Sequence, residues 1–423
     1  MVNLVIGSQW GDEGKGKVID VLAEKSDYVV RYHGGNNAGH TVIANGKKYP
    51  FHLMPSGILH PKAIGVISSG TVLDLDVLIS EIDILTADGY KLENKLFISD
   101  KCHIVMPYHK ALDEAYENAR GKNKLGTTKR GISQTYADKV SYNGIRLYEL
   151  KNWEEFEKKF KFQCEVKNKI LKTFEVEPIS VKSELKKYQA FRERLLPFLA
   201  DTFQILQSAI KNHKSILLEG AHGVMLDNDF GSYPYVTGSN VITGGVNTGT
   251  GIPVQKINDI WAVVKAYTSK VGEGPFVTEL HDEVTTYIRE KGAEFGTTTG
   301  RPRRIGWLDL EAVKFALDLT GTTKIAMTKA DVLSGLKELK IAVGYELNGK
   351  KIPHSSCGYL ELAKVKPVYK TLKGWEQDIR GITKFANLPK ECKEYIKFIE
   401  DFLEVKVAMF STGPDREETI EIN

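Results

Sequence analysis

Apolar and polar positions follow two different periods along the first part of the chain. Leu4-Val5-Ile6 is a short apolar run that ends at Gly7, and a glycine-rich stretch leads from it into residues 18–22, which have helical spacing. This order predicts a strand, a loop and a helix. Asn45-Gly46 stands between two β-prone arms and predicts a hairpin within residues 41–53.

Strand and helix patterns continue to alternate along the rest of the chain. The predicted strands are 28–32, 64–67, 215–218, 260–264, 324–327, 341–343 and 405–410, and the predicted helices are 74–87, 309–319 and 389–403. Such alternation indicates an α/β fold with a largely parallel central sheet. The glycine-rich residues 238–251 are interpreted as an ordered loop.

The middle of the chain changes in character. Residues 152–213 are rich in lysine and glutamate and have helical periodicity, which predicts a helical insertion with a solvated charged face. The whole of 1–423 is predicted to be one large α/β domain, because α/β proteins of this size can be single domains with insertions.

Composition limits the classes of protein that fit. The chain has 423 residues, 42% hydrophobic and 26% charged, and a formal net charge of +4. This small charge argues against a nucleic-acid binder, which usually concentrates far more basic residues. No C-x-x-C pair occurs among the four cysteines, so we expect reduced thiols. No signal peptide and no window of ~18 apolar residues is found, so the prediction is a cytoplasmic protein without a membrane span.

The stretch from Gly7 to Lys17 has the features of a phosphate-binding loop. Its glycines let backbone N–H groups converge on one point, and the following helix N-terminus and lysines add positive charge. It departs from the usual P-loop because Gly16 stands where a magnesium-binding hydroxyl is expected. Asp12 and Glu13 would repel phosphate unless they hold a metal or transfer protons. The alternative is a glycine-rich turn with solvated charges.

Seven blocks in order resemble one enzyme family. They are Gln9-Trp10-Gly11-Asp12-Glu13-Gly14-Lys15-Gly16-Lys17, Gly34-Gly35-Asn36-Asn37-Ala38-Gly39-His40-Thr41, Gly126-Thr127-Thr128, Glu219-Gly220-Ala221, Tyr233-Pro234-Tyr235-Val236-Thr237, Thr298-Thr299-Gly300-Arg301 and Ser411-Thr412-Gly413-Pro414-Asp415-Arg416. Together they resemble the adenylosuccinate synthetases. The resemblance implies a P-loop NTPase-like sheet with extra hairpins, and GTP-dependent ligation of L-aspartate to IMP through a 6-phosphoryl-IMP intermediate.

The resemblance also implies catalytic and metal-binding roles. Asp12 would be the general base that removes the purine N1 proton, and His40 the general acid at the β,γ-bridge of GTP. A histidine that only caps its loop is the alternative for His40. Mg²⁺ would be held by the Asp12 carboxylate and the Gly39 carbonyl, with phosphates and substrate as further ligands.

Guanine recognition is predicted after the strand at 324–327. Thr328-Lys329-Ala330-Asp331 resembles the N-K-x-D element of GTPases, in which a carboxylate accepts from guanine N1–H and the 2-amino group. A surface Lys–Asp pair is the alternative. By resemblance, the GTP contacts are Gly11, Asp12, Glu13, Gly14, Lys15, Gly16, Lys17, Gly39, His40, Thr41, Arg303, Lys329, Ala330, Asp331, Ser411, Thr412 and Gly413.

Residues 296–304 suit a loop that wraps a dicarboxylate, because arginine forks bind carboxylates in pairs of hydrogen bonds. A basic surface loop is the alternative. By resemblance, the L-aspartate contacts are Thr297, Thr298, Thr299, Gly300, Arg301, Pro302 and Arg303. The IMP contacts are Asp12, Glu13, Gly14, Lys15, Asn37, Ala38, Gly39, His40, Thr128, His222, Thr237 and Arg301.

The chain departs from the family pattern at three places. His222 stands where the family has glutamine, Tyr142 where a partner subunit's arginine would reach the IMP phosphate, and 133–135 read Ser-Gln-Thr instead of Gly-Pro-Ala. A homodimer is therefore expected from resemblance alone. A related ligase acting on a guanine or deoxy purine nucleotide, and a GTP-binding protein without catalysis, remain as alternatives.

Overall fold

The computed structural model describes residues 1–44, 46–296 and 300–422. Its strands in chain order are β1 Val2–Gly7, β2 Tyr28–Arg31, β3 His40–Ala44, β4 Lys47–Phe51, β5 Ile64–Ile67, β6 Val72–Leu73, β7 Leu96–Ser99, β8 His103–Ile104, β9 Leu199–Ala200, β10 Ile216–Gly223, β11 Asp259–Lys265, β12 Thr268–Lys270, β13 Arg304–Gly306, β14 Leu308–Asp309, β15 Lys324–Thr328, β16 Glu338–Leu347, β17 Lys350–Ile352, β18 Lys366–Lys373, β19 Val407–Ser411 and β20 Thr419–Glu421.

Helices flank these strands. In chain order they are α1 Lys15–Ala23, α2 Leu75–Ala87, α3 Pro107–Ala119, α4 Ile132–Val140, α5 Trp153–Thr173, α6 Val181–Leu195, α7 Thr202–Lys211, α8 Gly244–Thr250, α9 Glu283–Lys291, α10 Leu310–Thr320, α11 Tyr359–Leu362 and α12 Lys390–Leu403. No helix in the described ranges is both long enough and apolar enough to cross a membrane.

A large parallel sheet forms the centre of the fold, as predicted. Its strand order is β20-β19-β15-β11-β1-β10-β2-β5-β7-β9, and neighbouring strands are parallel except for β20, which is antiparallel to β19 at the edge. The central strands are buried along most of their length, with Leu4, Leu218 and Val263 each 0% exposed. Burial on both faces explains why they are nearly continuous apolar runs.

The region predicted as a helical insertion contains α5, α6 and α7. The aromatic side chains of Phe156, Phe160 and Tyr188 pack together, with ring centroids 5.5–6.0 Å apart, and join a core cluster that includes residues of α2 and β7. Lysines and glutamates of α5 lie on its exposed side, for example in the Lys169–Glu165 pair. The charge of this region is therefore a solvated face, as the periodicity indicates.

The prediction of a loop across 238–251 is wrong at its end, where α8 forms. Helix α8 contains three glycines and two threonines, which have low helix propensity, so tertiary packing must stabilise it. A Cβ at Gly249 would lie 3.2 Å from the carbonyl carbon of Tyr32. Glycine therefore lets the helix backbone lie directly against the strand-end residue Tyr32.

A second, smaller sheet was predicted only as one short strand at 341–343. Strand β16 is longer than predicted and pairs antiparallel with both β17 and β18. Exposed polar residues occupy most of β18, so it has no apolar run to reveal it. The predicted hairpin is confirmed in β3 and β4, which pair from His40 with Phe51 to Ala44 with Lys47, while Asn45 lies outside the described residues.

All four cysteines are free thiols. Cys102, Cys164 and Cys392 are buried, and Cys357 is partly exposed. Burial raises the pKa of Cys164 and of Cys392 to about 12, so these thiols stay protonated at neutral pH.

Candidate active site

A cavity of about 1100 Å³ lies along the carboxyl edge of the central sheet. The segments that follow β1, β10, β11, β15 and β19 all contribute to its lining, which is the usual location of ligand sites in open α/β sheets. Single-ligand pockets usually measure about 300–1,000 Å³, so this cavity is large enough for more than one substrate.

The glycine-rich loop after β1 is built around the buried carboxylate of Glu13. Its Oε1 accepts from the backbone N–H groups of Gln9 and Gly11, both at 2.9 Å, and its Oε2 accepts from Lys15 Nζ at 2.7 Å. Burial opposes ionisation, but Lys15 and these hydrogen bonds hold the pKa of Glu13 below its ordinary value. Glu13 therefore stabilises the loop from inside.

Two glycines leave room for this carboxylate. A Cβ at Gly7 would lie 2.7 Å from Glu13 Cδ, and a Cβ at Gly223 would lie 2.5 Å from Glu13 Oε1. Gly223 ends the neighbouring strand β10, so the two strands and the loop enclose the acid together. A third glycine, Gly16, explains the missing hydroxyl of the usual P-loop, because a Cβ there would lie 3.0 Å from the Thr41 carbonyl oxygen.

The loop opens α1 with positive charge directed at the cavity. Gly14 precedes the helix in the left-handed conformation, with φ of 83°, and Lys15 and Lys17 both line the cavity. Lys17 Nζ donates to Ser411 Oγ at 2.7 Å and to the Gly413 carbonyl at 2.6 Å. Burial lowers the pKa of Lys17 to about 8, against the opposing effect of Glu418.

His40 is held by a buried carboxylate. Its Nδ1 lies 2.5 Å from Glu219 Oε1, which also accepts from Arg31 Nη1 at 3.2 Å and from Ser56 Oγ at 2.9 Å. His40 Nε2 is buried and has no hydrogen-bond partner among the described residues. Burial lowers the pKa of His40 although Glu219 acts in the opposite direction. The imidazole is therefore neutral in the absence of an anion, with one unpartnered ring nitrogen.

Asp12 is the acid of the loop that lines the cavity. Its Oδ2 accepts a hydrogen bond from Ser269 Oγ and lies 3.4 Å from both Lys265 Nζ and Arg303 Nε. Among the described residues, no donor is hydrogen-bonded to its other oxygen, Oδ1. Asp12 thus has one oxygen, Oδ2, that is held beside two cations, while Oδ1 has no described donor.

The predicted guanine site follows β15. Lys329 has a left-handed backbone, with φ of 61°, and its Nζ donates to the Gly292 carbonyl at 2.8 Å. Asp331 is 4% exposed and lies 3.6 Å from Arg380 Nη2. Lys329, Asp331, Ser411 and Gly413 all line the cavity, so two strand ends meet there as the sequence predicts.

The cavity lining also includes neutral polar groups. Asn37 Nδ2 donates to Thr237 Oγ1 at 3.2 Å, and Asn37 Oδ1 is buried without a described partner. Both ring nitrogens of His222 are also buried and unpartnered among the described residues. Burial holds the pKa of His222 well below its ordinary value, so the imidazole is neutral. The ring centroids of His222 and His33 lie 6.1 Å apart.

Most of the predicted contacts lie together on this cavity. Its lining includes Gly11, Asp12, Gly14, Lys15, Gly16, Lys17, Asn37, Ala38, Gly39, His40, Thr41, Thr128, His222, Thr237, Arg303, Lys329, Asp331, Ser411 and Gly413. The structure places outside the lining Glu13, Ala330, Thr412, Gly300, Arg301 and Pro302. The predicted contacts Thr297, Thr298 and Thr299 lie outside the described residues.

The positions that depart from the family pattern divide in two. Ser133 and Gln134 line the cavity together with His222. Tyr142 is 93% exposed and does not line it. Sequence reasoning did not assign Lys265, Ser269 or Glu294, although each is buried beside Asp12 or Arg303. A charged residue that ends an apolar strand, as Lys265 does after 260–264, was the available signal.

The chain resembles known proteins along its whole length. The family described as adenylosuccinate synthetase matches residues 4–420. An adenylosuccinate synthetase of Halothermothrix orenii is 46% identical over 418 residues, which are 99% of this chain and 97% of that protein. The structure of fully ligated adenylosuccinate synthetase from Plasmodium falciparum has a TM-score of 0.96 at 38% identity and full coverage of both chains.

A cyanophage S-2L succinoaminodeoxyadenylate synthetase bound to dGMP and dATP has a TM-score of 0.62 at 19% identity, covering 99% of this chain and 95% of that chain. At this identity the similarity shows a common fold alone. The family match and the 46% identical relative decide the assignment. The chain belongs to the adenylosuccinate synthetase family.

Proposed function

We propose that this chain joins L-aspartate to IMP and consumes GTP, giving adenylosuccinate, GDP and phosphate. Family membership makes it a GTP-binding ligase of purine biosynthesis. The observation that most supports the residue roles is one shared cavity. The Asp12 carboxylate lines that cavity together with the lysines of the phosphate loop and the neutral side chains of Asn37, His222 and Thr237.

The reaction needs a good leaving group at purine C6. Asp12 takes the proton from N1, and the electrons move to O6, which attacks the γ-phosphorus of GTP and releases GDP. The amino nitrogen of L-aspartate then attacks C6, loses a proton, and phosphate departs with the former O6. A positioned carboxylate base contributes about 10²–10⁴-fold to such a step.

His40 would protonate or hydrogen-bond the departing diphosphate. The pKa of Glu219 is lowered by His40 and Arg31 despite burial, so Glu219 is ionised and can only accept. The proton of neutral His40 therefore lies on Nδ1, and Nε2 is bare. Donation from Nε2 requires the imidazolium, which the negative charge of a bound triphosphate favours.

GTP is proposed as the phosphoryl donor because Asp331 can accept from two guanine donors. Adenine lacks the N1–H and 2-amino pair, and a buried carboxylate left unpaired is costly. Lys15, Lys17 and the N-terminus of α1 would bind the phosphates of this nucleotide. Ser411 and Gly413 would form the opposite side of the guanine pocket.

L-Aspartate would bind beside Arg303. This side chain lines the cavity with its Nη1 bound to Glu294 at 2.6 Å, while its Nε has no described hydrogen-bond partner and faces Asp12. A guanidinium with free donor capacity suits a carboxylate substrate. The roles predicted for Thr297, Thr298, Thr299 and Arg301 remain predictions, as do the homodimer and the cytoplasmic location.

Mg²⁺ is proposed as the cofactor, and the donor set suits it. Among the described residues no group of three His, Cys, Asp or Glu side chains could hold a metal. Mg²⁺ is often bound by only one or two carboxylates together with substrate phosphates. Asp12 has a carboxylate oxygen without a described donor, and Gly39 lines the same cavity. When bound, Mg²⁺ neutralises phosphate charge during transfer.

The proposal is tested with purified protein, GTP, MgCl₂, L-aspartate and a panel of purine nucleotides. We expect adenylosuccinate, followed by its absorbance, from IMP and not from GMP or deoxy purine nucleotides. Asp12→Asn should lower kcat by about 10²–10⁴-fold, while the exposed control Asp83→Asn should leave it unchanged. Turnover of another purine nucleotide alone would contradict the choice of IMP, and GTP binding without turnover would contradict catalysis.

Asp331→Asn tests the guanine site separately. Asparagine presents an N–H where the carboxylate accepts. The variant should therefore bind GTP more weakly and prefer xanthosine triphosphate, whose 2-oxo group accepts a hydrogen bond. We expect kcat/KM for GTP to fall about 10²–10⁴-fold. Equal use of GTP by this variant would remove Asp331 from the nucleotide site.

A further inference from the structure

A cluster of four charged side chains lies at the wall of the cavity. Lys265 Nζ donates to both oxygens of Glu294 at 3.0 and 3.2 Å, and Arg303 Nη1 donates to the same carboxylate at 2.6 Å. Asp12 is the fourth member, 3.4 Å from both cations. The side chains of Lys265 and Glu294 are 1% and 0% exposed. Two cations therefore balance two carboxylates, and the Lys265–Glu294 part of the cluster is closed to solvent.

The chemistry of this cluster fixes the direction of one proton. Lys265 Nζ is also hydrogen-bonded to Ser269 Oγ, and Ser269 Oγ is hydrogen-bonded to Asp12 Oδ2. A lysine ammonium can only donate, so Ser269 must accept from it. The single hydroxyl proton of Ser269 is then directed at Asp12. This bond holds Oδ2 in place and leaves Oδ1 for the substrate.

Glu294 orients the second functional side chain. It accepts from Arg303 on Oε2, and on Oε1 it accepts from the hydroxyl of Tyr267. Lys265 and Arg303 lower the pKa of Glu294 against the effect of burial, so it is ionised. A fixed carboxylate thus anchors one end of the Arg303 guanidinium while its Nε stays without a described hydrogen-bond partner.

We propose that Lys265, Ser269 and Glu294 are positioning residues for the ligase reaction. Ser269, directed by Lys265, orients Asp12 for proton removal, and Glu294 orients Arg303 for L-aspartate. The proposal rests on the proposed function, which makes Asp12 the base and Arg303 an aspartate ligand. It predicts different kinetic results for two residues of one cluster, because loss of the Ser269 hydroxyl affects the first step alone and loss of the Glu294 carboxylate affects both steps.

The first step is measured by positional isotope exchange in GTP labelled with ¹⁸O at the β,γ-bridge, with IMP and MgCl₂ but no L-aspartate. Ser269→Ala should lower this exchange and kcat by about 10- to 100-fold, as expected for a lost hydrogen bond to a charged group. The KM for L-aspartate should stay within about threefold. Ser269→Thr keeps the hydroxyl and should restore most of the exchange.

Glu294→Gln should affect both steps. Without this carboxylate, Lys265 and Arg303 turn to Asp12, so we expect slower exchange together with a KM for L-aspartate raised about tenfold or more. Ser68→Ala is the matched control, because Ser68 is equally buried and donates to the Gly249 carbonyl outside the cavity lining. It should change neither quantity.

Unchanged exchange in Ser269→Ala would overturn the proposal, and so would a KM for L-aspartate raised as much in Ser269→Ala as in Glu294→Gln. If Glu294→Gln does not fold, the Ser269→Ala and Ser269→Thr pair still decides whether Asp12 is oriented by this cluster. The proposed function fails separately. If Asp12→Asn retains exchange, the base assignment is wrong, whereas an inactive Asp12→Asn with a normal Ser269→Ala refutes only the positioning roles.

Discussion

Replacing Glu13 by glutamine tests whether the phosphate loop is held from inside. The substitution keeps the size of the side chain but removes its charge. The amide oxygen can still accept from the N–H groups of Gln9 and Gly11. The amide nitrogen would then face Lys15 Nζ, which now lies 2.7 Å from Oε2. Two donors would oppose each other, and a buried ammonium would lose its counterion.

The magnitude follows from the burial of both partners. The side chains of Lys15 and Glu13 are 1% and 0% exposed, so water cannot solvate the Lys15 ammonium once its counterion is removed. Removing one partner of such a pair costs about 3–5 kcal/mol. Each 1.4 kcal/mol is about a factor of ten, so the opening equilibrium of the loop should rise by about 100- to 4,000-fold.

Amide hydrogen exchange reports this opening locally, without requiring reversible unfolding of a 423-residue chain. The N–H groups of Gln9 and Gly11 should lose about 10² or more of their protection, and GTP affinity should fall with them. The amide of Leu218, in the buried strand β10, serves as the internal reference. Unchanged protection at Gln9 and Gly11 would refute the structural role of Glu13.

A double variant separates charge from shape. Glu13→Gln with Lys15→Met removes both charges, and replacing a whole buried ion pair is often nearly neutral for stability. The double variant should therefore recover protection relative to Glu13→Gln alone, although it should bind GTP poorly because Lys15 lines the cavity. Additive losses in protection would show that the two side chains do not act as a pair.

Three further predictions concern single side chains. Glu219→Gln removes the carboxylate that orients His40, so kcat should fall about 10²-fold in steady-state assays with little change in the KM for GTP. His222→Ala should raise the KM for IMP about tenfold, as expected for the loss of one hydrogen bond, whereas the KM of His222→Gln should stay near that of the parent. An unchanged KM in His222→Ala would contradict a contact between His222 and IMP. Burial raises the pKa of Glu81 to about 7, so between pH 4.5 and 7 the folded chain binds more protons than the unfolded chain and its stability falls as pH rises. The stability of Glu81→Gln relative to the parent should therefore rise by up to ~3 kcal/mol from pH 4.5 to pH 8 in urea unfolding, whatever its offset at pH 4.5, and a difference independent of pH would refute this.

The parts of the fold that sequence predicts well are those with local signals. The strand at 4–6, the glycine-rich loop and α1 follow one another within 23 residues, and Thr328 to Asp331 follow directly on an apolar strand. The parallel arrangement then brings these separate strand ends to one edge of the sheet. Their meeting at one cavity could therefore be predicted without coordinates.

Long-range pairing explains what the sequence could not supply. Glu294 is separated from Lys265 by 29 residues and from Asp12 by far more, so no local pattern joins them. Strand β18 is mostly exposed and polar, and α8 consists largely of glycine and threonine. These elements form because of the neighbours they pack against, a contribution that local propensity does not contain.

The two acids of the phosphate loop show how structure refines a chemical argument. A carboxylate beside a phosphate site was expected either to hold a metal or to transfer protons. The Glu13 carboxylate has neither role, because both of its oxygens already accept hydrogen bonds inside the loop from two backbone N–H groups and Lys15. Its charge is cancelled where it lies, so it does not repel a nucleotide. Of this pair, Asp12 alone presents a carboxylate to the cavity. The proposed removal of a proton and the proposed binding of Mg²⁺ would therefore both use that single side chain.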